Sequence, residues 1–131
     1  MSESYELIPV GRVESPLKHR ADAPKQGHEG APEAWIVFEP RLLDALDGIA
    51  VGDRVIVLTW LDRADRATLQ ARPRSNPARK LQGVFNTRSP DRPNPIGLHP
   101  VVVLEVDGVR VRVSELEALD GTPVIDVKPV I

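Results

Sequence analysis

The sequence predicts an all-β protein, a small closed or nearly closed β-barrel of six or seven mainly antiparallel strands with one short helix. Short apolar runs rich in β-branched residues alternate with long polar segments, which is typical of strands joined by loops. The dipeptide Asp107-Gly108 lies between two valine-rich runs and is a two-residue hairpin signal. No GxGxxG turn joins a strand to a helix, so a doubly wound nucleotide-binding fold is not supported. Closure into a barrel would remove exposed sheet edges.

Seven apolar segments are predicted as strands. They are residues 6–13, 34–38, 54–60, 83–85, 101–107 and 109–113, and a final short strand that ends near Pro129. Pro9 lies early in the first segment and indicates an edge strand or a strand start. The near-continuous apolar run of the third segment predicts a strand that is covered on both faces.

A short helix is predicted between residues 39 and 49. Pro40 suits a first helical position, and Leu42, Leu43 and Leu46 follow at helical spacing. Gly48 stands where the helix would end.

The segment 83–100 is predicted to be a stiff, irregular loop that carries a binding site. Four prolines fall within eleven residues, at positions 90, 93, 95 and 100. Each proline fixes φ and removes a backbone donor, so neither a helix nor a central strand is expected. Rigid loops lose little entropy when a ligand binds, and this one carries Arg88, Asp91 and Arg92. An ordinary surface connection is the alternative.

Length and composition favour one domain over residues 1–131. There are no cysteines, which excludes disulfides, thiolate metal cages and iron–sulfur clusters. The three histidines, His19, His28 and His99, lack metal-ligand spacing, so no metal is expected. No run is apolar enough to span a bilayer and no secretion signal precedes the domain. A cytoplasmic protein without a membrane partner is expected.

Positive charge is concentrated in one part of the chain. Residues 63–92 contain eight arginines and lysines against two aspartates, although the net charge of the whole chain is −2. This segregation predicts a basic face for a phosphate-bearing partner. A solvated, arginine-rich loop is the alternative.

Three motifs carry a family resemblance. TRSPDRPNPIGL (87–98), LDGTPVIDVKP (119–129) and ESPLKHRADAPKQG (14–27) occur in an order that covers nearly the whole chain. The sequence resembles the TrmO family, also called TsaA-like or YaeB-like proteins. The resemblance implies a non-Rossmann β-barrel methyltransferase that uses S-adenosylmethionine to methylate N6 of threonylcarbamoyladenosine at tRNA position 37. It also implies a homodimer that acts on the tRNA anticodon loop, in the short form without a C-terminal domain.

The resemblance also implies a set of cofactor-binding residues. An arginine fork at Arg88 suits the carboxylate of S-adenosylmethionine, and Leu98 could frame its adenine. Its sulfonium favours a nearby carboxylate, from Asp62 or Glu117. The full set is Gln26, Gly27, His28, Asp62, Arg63, Arg88, Leu98, Ser114, Glu115, Leu116 and Glu117.

Candidate catalytic residues are Asp120 and Asp126, with Lys128 as an electrostatic partner. The acceptor nitrogen is amide-like, so a base that raises its electron density would help. For Asp120 the alternative is a structural turn, and for Asp126 and Lys128 a surface ion pair. The candidate RNA-binding residues are Arg72, Arg74, Arg79, Lys80 and Arg92.

The chain departs from the family pattern at three positions. Lys25 stands where arginine is usual, Val130 where tyrosine is usual, and Leu61 near a usual histidine. These departures affect the expected acceptor more than the expected cofactor. A methyltransferase acting on a small molecule and a non-catalytic module that binds the cofactor or RNA are therefore the alternative functions.

Overall fold

The computed structural model describes residues 3–131 and contains a closed barrel of six antiparallel strands. The strands are β1 Gly11–Glu14, β2 Ala34–Phe38, β3 Arg54–Trp60, β4 Gln70–Ala71, β5 Gln82–Gly83, β6 Ile96–Asp107, β7 Arg110–Val113 and β8 Pro123–Pro129. The order around the barrel is β1-β2-β7-β6-β3-β8, and β8 closes it by pairing with β1. Two further short strands, β4 and β5, pair with each other outside the barrel. The predicted all-β barrel is confirmed.

The alternating strand directions collect the long loops at one end of the barrel. Every barrel pairing is antiparallel, so successive barrel strands along the chain run in opposite directions. The connections 15–33, 61–95 and 114–122 therefore all lie at one end, which we call the mouth. The connection 39–53, the β6–β7 turn, the start of β1 and the end of β8 lie at the opposite end.

The inward side chains of the strands form one hydrophobic cluster. On β3, Val57 and Thr59 are buried, whereas Ile56 and Leu58 on the outer side are only half-buried. The prediction that both faces of β3 are covered is therefore wrong for the outer face. The cluster fills the barrel interior, as expected for a barrel of this strand number. The prediction of one domain over residues 1–131 stays a prediction.

The first strand is shorter than the predicted segment 6–13. β1 contains only Gly11–Glu14, although Val10 already donates to the Val124 carbonyl at 2.8 Å. Pro9 has no backbone N–H to donate, so regular pairing begins only after it.

Strand β6 begins earlier than predicted and includes Pro100. The segment from Ile96 to Pro100 was expected to be irregular, but it pairs with β3. Pairing with β7 starts only at Val103, so Pro100 lies where β6 has a single partner strand. A missing backbone donor is tolerated at such an edge. The predicted hairpin is confirmed, but its two-residue turn is Gly108-Val109 and not Asp107-Gly108, because Asp107 already pairs with Arg110. Gly108 has a φ of 60°.

The helix predicted near residue 40 is present as a 3₁₀ helix, Pro40–Leu46, with Pro40 in its first turn. Short 3₁₀ turns also occur in the mouth loops. They are Arg20–Asp22, Gly27–Glu29, Pro73–Ser75 and Val84–Asn86. The last of these replaces most of the strand predicted at 83–85, of which only Gly83 is in β5. Within residues 3–131, no helix has the length and apolarity required to cross a membrane.

Replacing Ile36 with Ala tests the barrel core. Ile36 is 1% exposed in the hydrophobic cluster, so the change should leave a cavity and lower the free energy of unfolding. A loss of about 2–5 kcal/mol is expected in urea denaturation. Ile8→Ala is the matched control, because Ile8 is 61% exposed and should lose far less. Equal losses in the two variants would contradict the assigned core.

Candidate functional site

The mouth of the barrel contains an open cleft of about 1190 Å³. All three mouth connections contribute to its walls, together with the first residues of β6. Its size is suited to a ligand larger than a single amino acid. Because the walls are loops, their positions depend on side-chain contacts between them.

Asp91 joins these loops through one carboxylate. Its two oxygens accept from both terminal nitrogens of Arg20, at 3.1 and 2.8 Å, and Oδ1 also accepts from the Asp65 backbone N at 2.9 Å. The proline-rich segment, the loop after β1 and the loop after β3 therefore meet at this side chain. The Arg20 fork holds the pKa of Asp91 below its usual value, against the opposing effect of partial burial.

A second contact spans the rim of the cleft. Both Glu29 oxygens lie 2.7 Å from one nitrogen of Arg74, and Lys25 approaches Ser75 at 3.5 Å. Arg74 and Ser75 have φ values of 58° and 55°, which side-chain-bearing residues seldom adopt. The contact with Glu29 helps to hold this unfavourable backbone in place. The Arg74 guanidinium lowers the pKa of Glu29.

The charged residues that line the cleft are seven arginines and lysines against three acids. Several of these arginines are already used inside the protein. Arg92 donates to the carbonyls of Val84 and Thr87, and Arg63 to the Lys18 carbonyl at 3.0 Å. The guanidinium of Arg88, by contrast, is exposed and makes no ion pair with the described residues. Arg88 is therefore available for an anionic ligand.

The structure brings most of the predicted cofactor residues together. Seven of them line the cleft: Gln26, His28, Asp62, Arg63, Arg88, Leu98 and Glu117. The other four do not. Gly27 packs so closely on the segment 115–117 that a Cβ there would lie 2.1 Å from the Glu115 carbonyl oxygen. Ser114 binds the Val102 N at 3.0 Å and Leu116 is fully buried, so both support the wall from behind.

The predicted catalytic residues do not line the cleft, which departs from the sequence expectation. Asp120 accepts from the Ser15 N at 3.0 Å and pairs with Lys18 at 2.9 Å, so it ties the mouth connections together. Lys18 lowers the pKa of Asp120. Asp126 and Lys128 form an exposed pair at 3.6 Å on the outer surface of β8. A register shift in the β3–β8 pairing between Val124 and Asp126 reverses the alternation, so Val127 packs against the core and Asp126 and Lys128 face outward.

The predicted RNA-binding residues are split between two environments. Arg72, Arg74 and Arg92 line the cleft, and Arg72 donates to the Arg79 carbonyl at 2.7 Å. Arg79 and Lys80 are exposed outside the cleft and form no ion pair with the described residues.

Two features of the cleft were missed in the sequence. A buried hydrogen-bonded chain runs from Thr59 through His99 to Glu117, with distances of 2.7 and 2.6 Å. The inward parity of His99 in β6, shared with Val101 and Val103, is the signal that could have found it. Phe85 was assigned to a strand but lies 88% exposed at the rim. No sequence pattern indicates that exposure. Within residues 3–131, no cluster of three potential metal ligands occurs.

Comparison with known proteins identifies the family. A family model described as the tRNA-methyltransferase O N-terminal domain matches residues 12–131. The chain belongs to the TrmO family. A probable S-adenosyl-L-methionine-binding protein of Methanothermobacter thermautotrophicus is 50% identical over 123 residues, which cover 94% of this chain and 88% of that protein. An S-adenosyl-L-methionine-binding protein of Archaeoglobus fulgidus is 45% identical over 122 residues, which cover 93% and 86%.

The barrel is also similar to solved TrmO structures. A crystal structure of TrmO from Pseudomonas aeruginosa has a TM-score of 0.77 and 26% identity, and the match covers 98% of this chain. The chain spans a little more than half of that protein, 57% of its length. The similarity therefore concerns the part of TrmO that contains this barrel.

Replacing Asp91 with Asn tests the contact that joins the loops. The neutral amide should weaken the Arg20 fork and lower the free energy of unfolding by about 1 kcal/mol, because both partners still contact water. A carboxylate with a lowered pKa stabilises the fold at neutral pH, and this contribution disappears as the pH falls through the folded-state pKa. Denaturation measured between neutral and acidic pH should therefore show a smaller acid-induced loss in Asp91→Asn than in the wild type.

The matched control is Asp44→Asn, on the exposed 3₁₀ helix at the opposite end of the barrel. It should leave both the stability at neutral pH and its acid dependence unchanged. An identical acid response in Asp91→Asn and the wild type would show that Asp91 does not join the loops.

Proposed function

We propose that this protein is an S-adenosylmethionine-dependent methyltransferase that methylates N6 of threonylcarbamoyladenosine at position 37 of tRNA. The observation that carries the proposal is the mouth cleft, which gathers seven of the family-implied cofactor residues around a free arginine. Family membership and relatives that are named as S-adenosyl-L-methionine-binding proteins support the same cofactor.

The residues of the cleft fit the chemical groups of this cofactor. The unpaired Arg88 fork suits a carboxylate, and the partly exposed Leu98 offers an apolar surface for a purine. Glu117 lines the cleft and uses Oε1 to bind His99, so Oε2 is the oxygen that would meet a positive charge there. These groups would hold the donor by both ends, with Arg88 and Leu98 fixing its orientation.

Alignment is the main task of the protein in this reaction. When bound, S-adenosylmethionine supplies a methyl group on a sulfonium that leaves as a neutral thioether. The N6–CH3 bond forms as the S–CH3 bond breaks, and the N6 proton passes to a base, a role proposed below for Asp126 of a second copy. The transfer needs an in-line approach, which loops fixed by the Asp91 contacts support. Phe85 at the rim offers a flat apolar face on which an acceptor base could stack.

A tRNA acceptor is supported by the arginine-rich mouth. Arg79 and Lys80 remain free for phosphate contacts, and Arg72 and Arg92 add positive charge near the cleft. A small-molecule acceptor is the second candidate. It is favoured by the internal bonds of Arg72, Arg74 and Arg92, which leave these guanidinium groups less available for an RNA backbone.

A homodimer is part of the proposal. The outer face beside the cleft exposes Ile96 and Leu98, and the half-buried Leu58 lies next to Leu98 in the sheet. Such an apolar strip suits a second copy of the chain. Asp126 pairs with Leu58 in the β3–β8 ladder, so it borders the same strip. In a dimer that uses this face, Asp126 and Lys128 could approach the partner's cleft and act there on the acceptor. The cytoplasm, where tRNA is modified, is the proposed location.

Replacing Arg88 with Ala should weaken S-adenosylmethionine binding by at least about 1.5 kcal/mol, because a charge-assisted hydrogen bond to the carboxylate is lost. Isothermal titration calorimetry measures this directly. Arg41→Ala is the control, since Arg41 lies exposed on the 3₁₀ helix far from the mouth. An unchanged titration of Arg88→Ala would remove Arg88 from the cofactor site.

The double variant Arg79→Glu with Lys80→Glu tests the acceptor. Binding of tRNA should weaken and its dependence on salt should become shallower, because phosphate contacts release fewer counterions. Binding of S-adenosylmethionine should be unchanged, as should tRNA binding by the control Arg41→Glu. Mass spectrometry of nucleosides from tRNA incubated with the wild type should detect one added methyl on the hypermodified adenosine. Methylation of a small molecule without any tRNA product would support the second candidate.

A further inference from the structure

A chain of three polar side chains crosses the wall between the barrel interior and the cleft. Thr59 on β3 is 0% exposed, and His99 on β6 is 4% exposed. Thr59 Oγ1 lies 2.7 Å from His99 Nε2, and His99 Nδ1 lies 2.6 Å from Glu117 Oε1. Residues 59 and 99 point inward from neighbouring strands, and Glu117 closes the chain from the loop after β7.

The chain has a direction that is set by its chemistry. An ionised Glu117 only accepts, so His99 donates Nδ1–H to it. In the neutral ring Nε2 is then an acceptor, and the Thr59 hydroxyl donates to it. Both inner groups are thus satisfied within the protein. Among the described residues no hydrogen-bond partner reaches Glu117 Oε2, and the Glu117 side chain, which is 15% exposed, lines the cleft.

Two glycines leave room for this arrangement. A Cβ at Gly97 would lie 2.3 Å from Thr59 Oγ1 and 2.5 Å from His99 Nε2, so any side chain would push the two groups apart. A Cβ at Gly27 would lie 3.0 Å from Glu117 Oε2, beside its free oxygen. The backbone φ is not positive at either position, so the backbone conformation alone does not require glycine there. Close approach to the polar chain and to the backbone near it is the reason for a missing side chain at both positions.

We propose that His99, held by Thr59, is a positioning residue that fixes the Glu117 carboxylate so that Oε2 faces the sulfonium of the bound methyl donor. This inference rests on the proposed cofactor. A carboxylate that is held by one short hydrogen bond keeps its second oxygen in a fixed place without further ordering when the ligand arrives. At the wall of the cleft, a fixed negative charge favours the positively charged donor over the neutral thioether product.

The test compares two ligands that differ in this charge. S-Adenosylmethionine carries the sulfonium, whereas S-adenosylhomocysteine carries a neutral thioether, so the ratio of their dissociation constants isolates the contact. Glu117→Gln should weaken the binding of S-adenosylmethionine about tenfold and the binding of S-adenosylhomocysteine much less. His99→Leu and Thr59→Val should shift the ratio in the same direction by a smaller factor. Thr59→Ser keeps the hydroxyl and should retain the wild-type ratio.

Two further measurements separate positioning from simple stability. His19→Gln replaces an exposed histidine outside the cleft and should leave the ratio unchanged. Nitrogen-detected NMR of the His99 ring should place its proton on Nδ1 in the wild type and report a change in Glu117→Gln. Thermal denaturation identifies variants that have lost the fold.

The outcomes are distinct. If folded His99→Leu and Thr59→Val weaken both ligands equally, the chain has a structural role only and the inference is overturned. If the wild type binds neither ligand, the proposed cofactor is wrong, and the sulfonium contact fails with it. If the wild type binds both ligands and Glu117→Gln leaves the ratio of their dissociation constants unchanged, Glu117 does not contact the sulfonium. The proposed cofactor is retained in that case.

Discussion

The Asp91 carboxylate joins loops that form the cleft, beside the ion pairs of Glu29 with Arg74 and of Asp120 with Lys18. The barrel supplies a mainly apolar interior, with Thr59 and His99 as inward polar residues, and a ring of strand ends. The mouth loops contain little regular structure that could fix their positions. Asp91 meets two of those loops by hydrogen bonds and belongs to the rigid proline-rich segment. The Asp120 contacts with Ser15 and Lys18 join the remaining connection. The cleft is therefore held by ion pairs and hydrogen bonds between loops, together with the apolar packing of Leu116 and Ala118 into the core.

The barrel could be predicted from the sequence because its signals are local, whereas the cofactor-binding residues of the cleft were expected from the family resemblance of three motifs. Alternation of apolar residues marks the strands, and Asp107-Gly108 marks a hairpin. The inclusion of Pro100 in β6 could not be predicted. A strand tolerates proline where it has only one partner strand, and which strands pair is a long-range property of the fold. The same reason hides His99, whose partners are 40 and 18 residues away.

The function of individual charged residues was harder to predict than their location. The basic segment does reach the mouth, but Arg74 and Arg92 bind groups of the protein itself. Sequence counts of charge include such internally used arginines together with free ones such as Arg88. Asp126 and Lys128 lie outside the cleft of their own chain because a register shift after Val124 turns them outward, and such a shift depends on the partner strand. The proposed role of these two residues requires a second copy of the chain, which a single sequence does not describe.

The even number of antiparallel strands has a further consequence for architecture. The chain enters β1 and leaves β8 at the same end of the barrel, which is the end opposite the mouth. A polypeptide appended beyond either of these strands would emerge on that far side and leave the ligand entrance open. The fold is thus suited to fusion with further domains, because the start of β1 and the end of β8 lie at one end of the barrel and the ligand entrance lies at the other.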